Sequence, residues 1–217
     1  MNFNINKYEE IKEFFNKYKF SGEKINNTII AVSKTRKLVD IQEALRHGVR
    51  HFGEIRVNEA IDKFTILKTK QKDIQLHMLG AIQSNKVKNA LKIFDYFHSL
   101  DRNSLAIEFS KYPVEISSKY FFIQVNTGNE MQKSGIYPNQ TSEFINYCKK
   151  DLKLNVIGLM CLPPVNDDPK EHFLMLRSLA ENNNLKQLSM GMSGDYKIAI
   201  ACGATHIRIG TSFFGYR

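Results

Sequence analysis

The sequence predicts a single (β/α)₈ barrel with one extra helix in front of it. Three observations predict this fold. Short β-rich runs alternate with stretches of helical periodicity, the pattern of βα units on a parallel sheet. Eight such runs occur, the number that closes a barrel. The glycine fingerprint of a dinucleotide-binding open sheet is missing, because the first strand runs into "SKTRKL". No linker, low-complexity segment or shift in composition divides the chain, so residues 1–217 are read as one domain, long enough to bury a core.

The elements follow in order. In "MNFNINKYEEIKEFFNKYKF", Ile11, Phe14, Phe15 and Tyr18 recur at helical spacing, and the mixture of Glu and Lys lacks the continuous apolar core of a signal peptide. Strand 1 is "TIIAVSKT" (28–35), followed by "VDIQEALRHG", where Ile41 and Leu45 mark a face and Gly48 a C-cap. Strand 2, "HFGE" (51–54), leads to "AIDKFTILK", and strand 3, "IQLHMLGA" (74–81), to "NKVKNALKIF". Strand 4 is "YFHSLD" (96–101), and strand 5, "YFFIQVNT" (120–127), precedes "SEFINYCKK". Strand 6, "LNVIGLMCL" (154–162), feeds "PKEHFLMLRSLAENN", and strand 7, "QLSMGM" (187–192), feeds "GDYKIAIACG". Strand 8 is "HIRIGT" (206–211), with no helix of any length expected after it.

Composition narrows the function classes. With 42% hydrophobic and 24% charged residues the chain reads as globular, and no apolar run approaches the roughly 18 residues of a membrane span. The net charge of +9 is spread among Asn and Glu without a dense basic block, which argues against a nucleic-acid footprint. Three widely separated cysteines, Cys148, Cys161 and Cys202, form neither a disulfide framework nor a metal-ligand spacing. They are expected to be reduced, buried thiols in a cytoplasmic protein with no metal.

Barrel enzymes carry their reactive groups at the C-terminal ends of the strands. Here those ends are polar: Ser33-Lys34-Thr35, Gly53-Glu54, His77, His98 with Asp101, Asn126-Thr127, Ser189 to Ser193, and Arg208 to Thr211. Such convergence on one mouth points to a pocket. "LSMGMSGD", with Ser193 as a helix N-cap, and "RIGT" offer small residues, hydroxyls and amides for an anion, in the recurrent phosphate position after strands 7 and 8. Lys34 ends strand 1, the neighbour of strand 8 in a closed barrel. A lysine so placed suits a Schiff base with a phosphorylated aldehyde, either pyridoxal phosphate or a sugar phosphate, or else acts as a phosphate counter-ion.

Taken together, "AVSKT", "HFGE", "HMLGAIQSNK", "HSLDR", "VNTGNEMQKSGI", "IGLMCLPP", "LSMGMSGD" and "RIGTSFFGYR" resemble the YggS/PROSC family of pyridoxal phosphate homeostasis proteins, similar in fold to the barrel of alanine racemase. The resemblance runs in order from about residue 28 to the C-terminus. It implies that Lys34 holds pyridoxal phosphate as a Schiff base and that Arg208 faces the pyridine nitrogen. It also implies that Ser189, Gly191, Gly210 and Thr211 lie at the phosphate. His77 and Asn126 are expected behind the residues that touch the cofactor, and "QSNK" and "QKSG" read as polar loops at the mouth. An arginine at the ring nitrogen disfavours its protonation, so carbanions are only weakly stabilised.

Two positions depart from the family pattern. Ile55 stands where "HFGEN" has asparagine, which removes a polar group, and Lys37 stands where a proline usually follows the "SKT" segment, which loosens a loop.

Three functions are compatible with these residues. The resemblance implies a non-catalytic carrier in intracellular vitamin B6 homeostasis that buffers pyridoxal phosphate or delivers it, with pyridoxal-phosphate-dependent apoenzymes as partners. A weak amino-acid racemase and a class I aldolase-like enzyme are the alternatives. The sequence runs six residues past Thr211, so the racemase β-domain and its acid/base tyrosine are not expected, and a monomer is preferred.

Overall fold

A computed structural model describes residues 3–18 and 27–216; the two ends of the first helical stretch read from residues 1–20 lie outside the described residues. Eight strands pair in parallel in chain order, and β1 also pairs with β8, so the sheet closes into the expected barrel. They are β1 (Thr28–Val32), β2 (His51–Glu54), β3 (Gln75–Met78), β4 (Tyr96–Leu100), β5 (Tyr120–Val125), β6 (Val156–Cys161), β7 (Gln187–Ser189) and β8 (His206–Ile209). The sequence-derived ranges of most strands overshoot at their C-terminal ends. β1 stops at Val32 rather than Thr35 because Thr35 has φ +62°, outside the range of a strand. β7 stops at Ser189 because Gly191 turns the chain with φ +92°.

The helices are α1 (Ile5–Lys17), α2 (Leu38–Arg46), α3 (Val57–Lys70), α4 (Val87–Ile93), α5 (Asn103–Ser110), α6 (Pro113–Ile116), α7 (Thr141–Asn146), α8 (Pro169–Asn182), α9 (Tyr196–Ala201) and α10 (Thr211–Phe214). α5 and α6 fill the crossover from β4 to β5, a segment absent from the periodic stretches quoted above. After β8 only the single turn α10 follows within the described residues.

The amphipathic N-terminal helix takes the place that an eighth barrel helix would occupy. Asn4 caps α1 by accepting from the Lys7 N–H at 3.1 Å. Phe3 packs on Phe213 and Phe214 of α10 and on His47 at the end of α2, while Phe14 meets the edge of Tyr196 in α9. Ile11 and Phe15 are buried and Phe14 is partly buried, as the helical spacing requires, whereas Tyr18 is exposed.

Strand alternation sorts the side chains into two sets. One set, including Ala31, Phe52, Leu76, Phe97, Phe121 and Ile207, packs outward against the helices and forms the hydrophobic core. Each large side chain so buried contributes about 1.5–3 kcal/mol. The other set points into the barrel, and it contains polar groups alongside Ile30, Phe122 and Met160: His77, His98, Ser189, His206 and Arg208 are all buried. The three cysteines are free and buried, and burial pushes the Cys148 and Cys161 thiols up to about 12.

Candidate functional site

Lys34 lies two residues beyond β1, half-buried, on the alternation that carries Ile30 and Val32 toward the barrel interior. No hydrogen-bond or ion-pair partner for its ammonium is present among the described residues. The turn that presents it is held from behind. Ser33 Oγ donates to Glu54 Oε1 at 2.7 Å, and Lys63 Nζ donates to the Ser33 carbonyl at 2.8 Å. Lys63 also bridges Glu54 (3.1 Å) and Glu59 (2.5 Å), and Glu59 accepts from the Thr35 N–H. Thr35 is β-branched and left-handed, a costly conformation that persists where surrounding bonds over-determine it. Burial raises the Glu54 carboxyl above its ordinary range, against the opposing pull of Ser33 and Lys63.

On the far side of the β1–β8 pair sits Arg208, paired in register with Ile30. Its guanidinium is buried, donating to Ser189 Oγ at 2.7 Å and to the Cys161 carbonyl at 2.9 Å. Burial lowers its pKa, and no carboxylate forms an ion pair with it among the described residues. A buried cation without an anion is expensive, so this arrangement is poised for a ligand acceptor. Gly210 brings the exit of β8 against that of β1, since a Cβ there would lie 3.5 Å from Val32 Cβ. Thr211 is exposed beside it at the rim.

The remaining sequence-derived residues fall as follows. Ser189 is fully buried below the rim, between His98 (2.8 Å) and Arg208, so its hydroxyl is engaged at the guanidinium end of the site. Gly191 is glycine for its own turn: φ is +92° and a Cβ would approach Ala199 Cβ to 2.5 Å. Ser193 does not cap α9. Asp195 is the N-cap residue and its carboxylate accepts from the Met192 N–H, while Ser193 Oγ accepts from the Ser212 N–H at 3.5 Å and ties the loops after β7 and β8 together. α9 begins at Tyr196, so Ser193 lies two residues before the N-cap position, and Asp195 there makes no side-chain cap bond. Asn126 spends its side chain on its own loop, with Glu130 and Lys133 carbonyls and the Glu130 N–H. His77 is buried on the barrel axis, bonded to His51 at 3.0 Å and His98 at 2.9 Å.

The two departures are readable in the same frame. Ile55 is half-buried, and its backbone abuts Gly80 so closely that a Cβ on Gly80 would reach the Ile55 carbonyl at 2.5 Å. Lys37 is the N-cap residue of α2, with φ −72°, and its N–H donates to Asp40 at 3.3 Å. The expected loosening is thereby countered by a bond a proline could not make.

Sequence reasoning missed two parts of this architecture. One is the Lys63 clamp, whose Glu59–Lys63 spacing of four is a legible helical pair but whose reach to Ser33 and Glu54 is not. The other is the run of imidazoles, legible only as histidines at inward positions of β2, β3, β4 and β8.

Comparison with known proteins places the chain. The model of the alanine racemase N-terminal domain matches residues 12–217. A pyridoxal phosphate homeostasis protein of Vibrio cholerae is 38% identical over 200 residues, covering 87% of this chain and 85% of its own. The chain belongs to the pyridoxal phosphate homeostasis protein family. A family member from Aquifex aeolicus is 37% identical over 199 residues, covering 87% and 86%. The solved structure of PipY from Synechococcus elongatus without PLP matches with a TM-score of 0.85 and 32% identity, over 97% of this chain and 99% of that one. The PLP-bound form of PipY matches with a TM-score of 0.81 and 30% identity over the same shares. Alanine racemase from Corynebacterium glutamicum shares the fold alone, with a TM-score of 0.72 and 13% identity over 62% of its length.

Proposed function

We propose that this protein binds pyridoxal 5′-phosphate as a Schiff base on Lys34 and acts in intracellular pyridoxal phosphate homeostasis as a carrier, buffering or delivering the cofactor without robust catalysis. The observation that carries the reading is the placement, on the neighbouring strands β1 and β8, of a rim lysine with no partner among the described residues and a buried arginine that forms no ion pair among them. The fit is chemical. Bound there, the cofactor supplies an aldehyde, the electrophile that a lysine amine captures. Lys34 is the nucleophile and the tether. Arg208 would donate to the ring nitrogen and oppose its protonation, so the cofactor would supply only weak electron demand. Gly210 and Thr211 at the rim suit the phosphate, while Ser189 orients the Arg208 guanidinium. Gly191 serves this pocket by shaping the turn after β7, and His77 backs it through His98 and Ser189, while Asn126 holds its own loop. A relative, PipY, has been solved with PLP bound, and the curated relatives carry homeostasis names, which supports the same reading.

Borohydride reduction of the protein with pyridoxal phosphate, followed by peptide mass spectrometry, tests the reading. One adduct on the Lys34 peptide is expected, lost in Lys34→Ala. No adduct in the wild type overturns the cofactor assignment. Exchange of the α-proton of amino acids in deuterated water at enzymatic rates, lost in the same variant, replaces the carrier by a racemase-like enzyme.

A further inference from the structure

The barrel axis contains a continuous file of hydrogen-bonding side chains. His51 Nδ1 lies 3.0 Å from His77 Nε2, and His77 Nδ1 lies 2.9 Å from His98 Nε2. His98 Nδ1 lies 2.8 Å from Ser189 Oγ, which accepts from Arg208 at 2.7 Å. His51 opens the file at the start of β2, where a cavity of about 180 Å³ is lined by Tyr8, Lys12, Asn27, Arg50 and His51 at the opposite end of the barrel from Lys34. Arg208 closes it beneath the mouth.

We propose that His51, His77, His98 and Ser189 form a directional proton relay joining the cavity at the N-terminal end of the barrel to the Arg208 end of the mouth. Burial keeps the three imidazoles below their ordinary titration range, so they are neutral. A neutral imidazole has one N–H and one bare nitrogen, so every ring in the file must point the same way. The end at Ser189 sets that direction. Its hydroxyl has one proton, already accepts from Arg208, and has no further partner among the described residues, so it donates to His98 Nδ1. His98 then donates through Nε2 to His77, His77 through Nε2 to His51, and the His51 Nε2–H is left for the cavity that His51 lines.

An acceptor arriving beside Ser189 reverses the file, and the protons balance. The Ser189 proton moves to His98 Nδ1, the His98 Nε2 proton to His77 Nδ1, and the His77 Nε2 proton to His51 Nδ1. The His51 Nε2 proton leaves to cavity water as Ser189 takes one proton from water in the mouth and turns it to the acceptor, so no charge accumulates inside. The return direction delivers one proton upward. If the cofactor fills the mouth as proposed above, the relay is a proton route to its ring end that avoids the rim; that use rests on the cofactor reading.

The test is side-chain nitrogen NMR of the full-length protein with labelled histidines. The cofactor-free wild type is expected to show His51, His77 and His98 as single Nε2–H tautomers. In Ser189→Ala all three signals should move toward mixed tautomers, while His172, paired with Asp167 outside the file, stays fixed and reports an intact fold. Movement of His98 alone, with His51 and His77 unchanged, overturns the relay. Should the variant fold poorly, titration of the wild type with pyridoxal phosphate gives the second readout: His51 is expected to shift tautomer as the mouth fills, and an unmoved His51 in protein that carries the Lys34 adduct overturns the relay. Absence of the adduct, with the three histidines still coupled in Ser189→Ala, removes the cofactor reading and leaves the relay standing.

Discussion

Two buried polar networks flank Lys34, and they are built on opposite principles. The clamp behind β1 sets a lysine between two carboxylates, Glu54 and Glu59, and spends all three on holding the Ser33–Thr35 turn. The file along the barrel axis is made of neutral imidazoles and a hydroxyl, and ends on an arginine that no carboxylate bonds among the described residues. The clamp compensates its charges within itself and so acts as scaffold. The axial network leaves a buried cation at the mouth with no ion-pair partner among the described residues and only the more distant charge of Asp195, an arrangement that a ligand acceptor would complete. The difference separates what positions the site from what meets the cofactor.

Breaking the clamp should cost the most. Lys63→Met strands the buried Glu54 carboxylate and should destabilise the protein by about 3–5 kcal/mol, read from the urea midpoint. A loss below about 1 kcal/mol would show that the Ser33–Thr35 turn is held by something else.

Acid should then separate the two networks by sign. Burial holds His77 and His98 well below 6.5 and His206 at about 3, so the unfolded chain takes up protons that the folded barrel refuses. Their contribution is complete above about pH 6.5 and is lost as pH falls, at about 1.4 kcal/mol per pH unit for each histidine. For His206 the window runs from 6.5 down to about 3. Glu54 works in the other direction. Its carboxyl is raised, so its contribution is complete below its ordinary 4.5 and is lost as pH rises through the raised value. Denaturant midpoints across pH should therefore fall steeply on the acid side, and His206→Gln should reduce the slope by one histidine's share. An unchanged slope would remove His206 as a contributor.

Ser189→Ala sharpens the contrast at the axial end. It leaves Arg208 and His98 each one partner short, a cost of about 1–3 kcal/mol, and should lower retention of the cofactor as measured by the visible absorbance of the adduct. Lys37→Pro should do least. The φ of −72° already suits proline, so the entropic gain of about 0.4–1 kcal/mol offsets the lost bond to Asp40, and the midpoint should move by no more than about 0.5 kcal/mol.

The legibility of this molecule follows the range of the interactions. The runs around Ile30, Phe52, Leu76 and Phe121 announced strands because a parallel sheet covered by helices buries its strands, a pattern local to each segment. Lys34 and Arg208 were legible because a charge at the end of an apolar run is anomalous in the sequence itself. Ser189 was placed on the right strand, but its engagement with His98, 91 residues away, was not readable. The same holds for Lys63, which reaches Ser33 across 30 residues.

The sequence by itself determined the alternation that closes eight strands, the burial of three free thiols, and the positions of Lys34 and Arg208 on neighbouring strands. Periodicity and burial act over a few residues, so they leave their mark in order along the chain. Only the tertiary structure decided that Asn126 holds a loop, that Gly191 answers to a turn, that α1 fills the eighth helix position, and that four histidines turn inward. Those outcomes depend on which side chains from distant strands meet at a shared radius, where a hydrogen bond of about 3 Å is formed or lost by closure of the barrel.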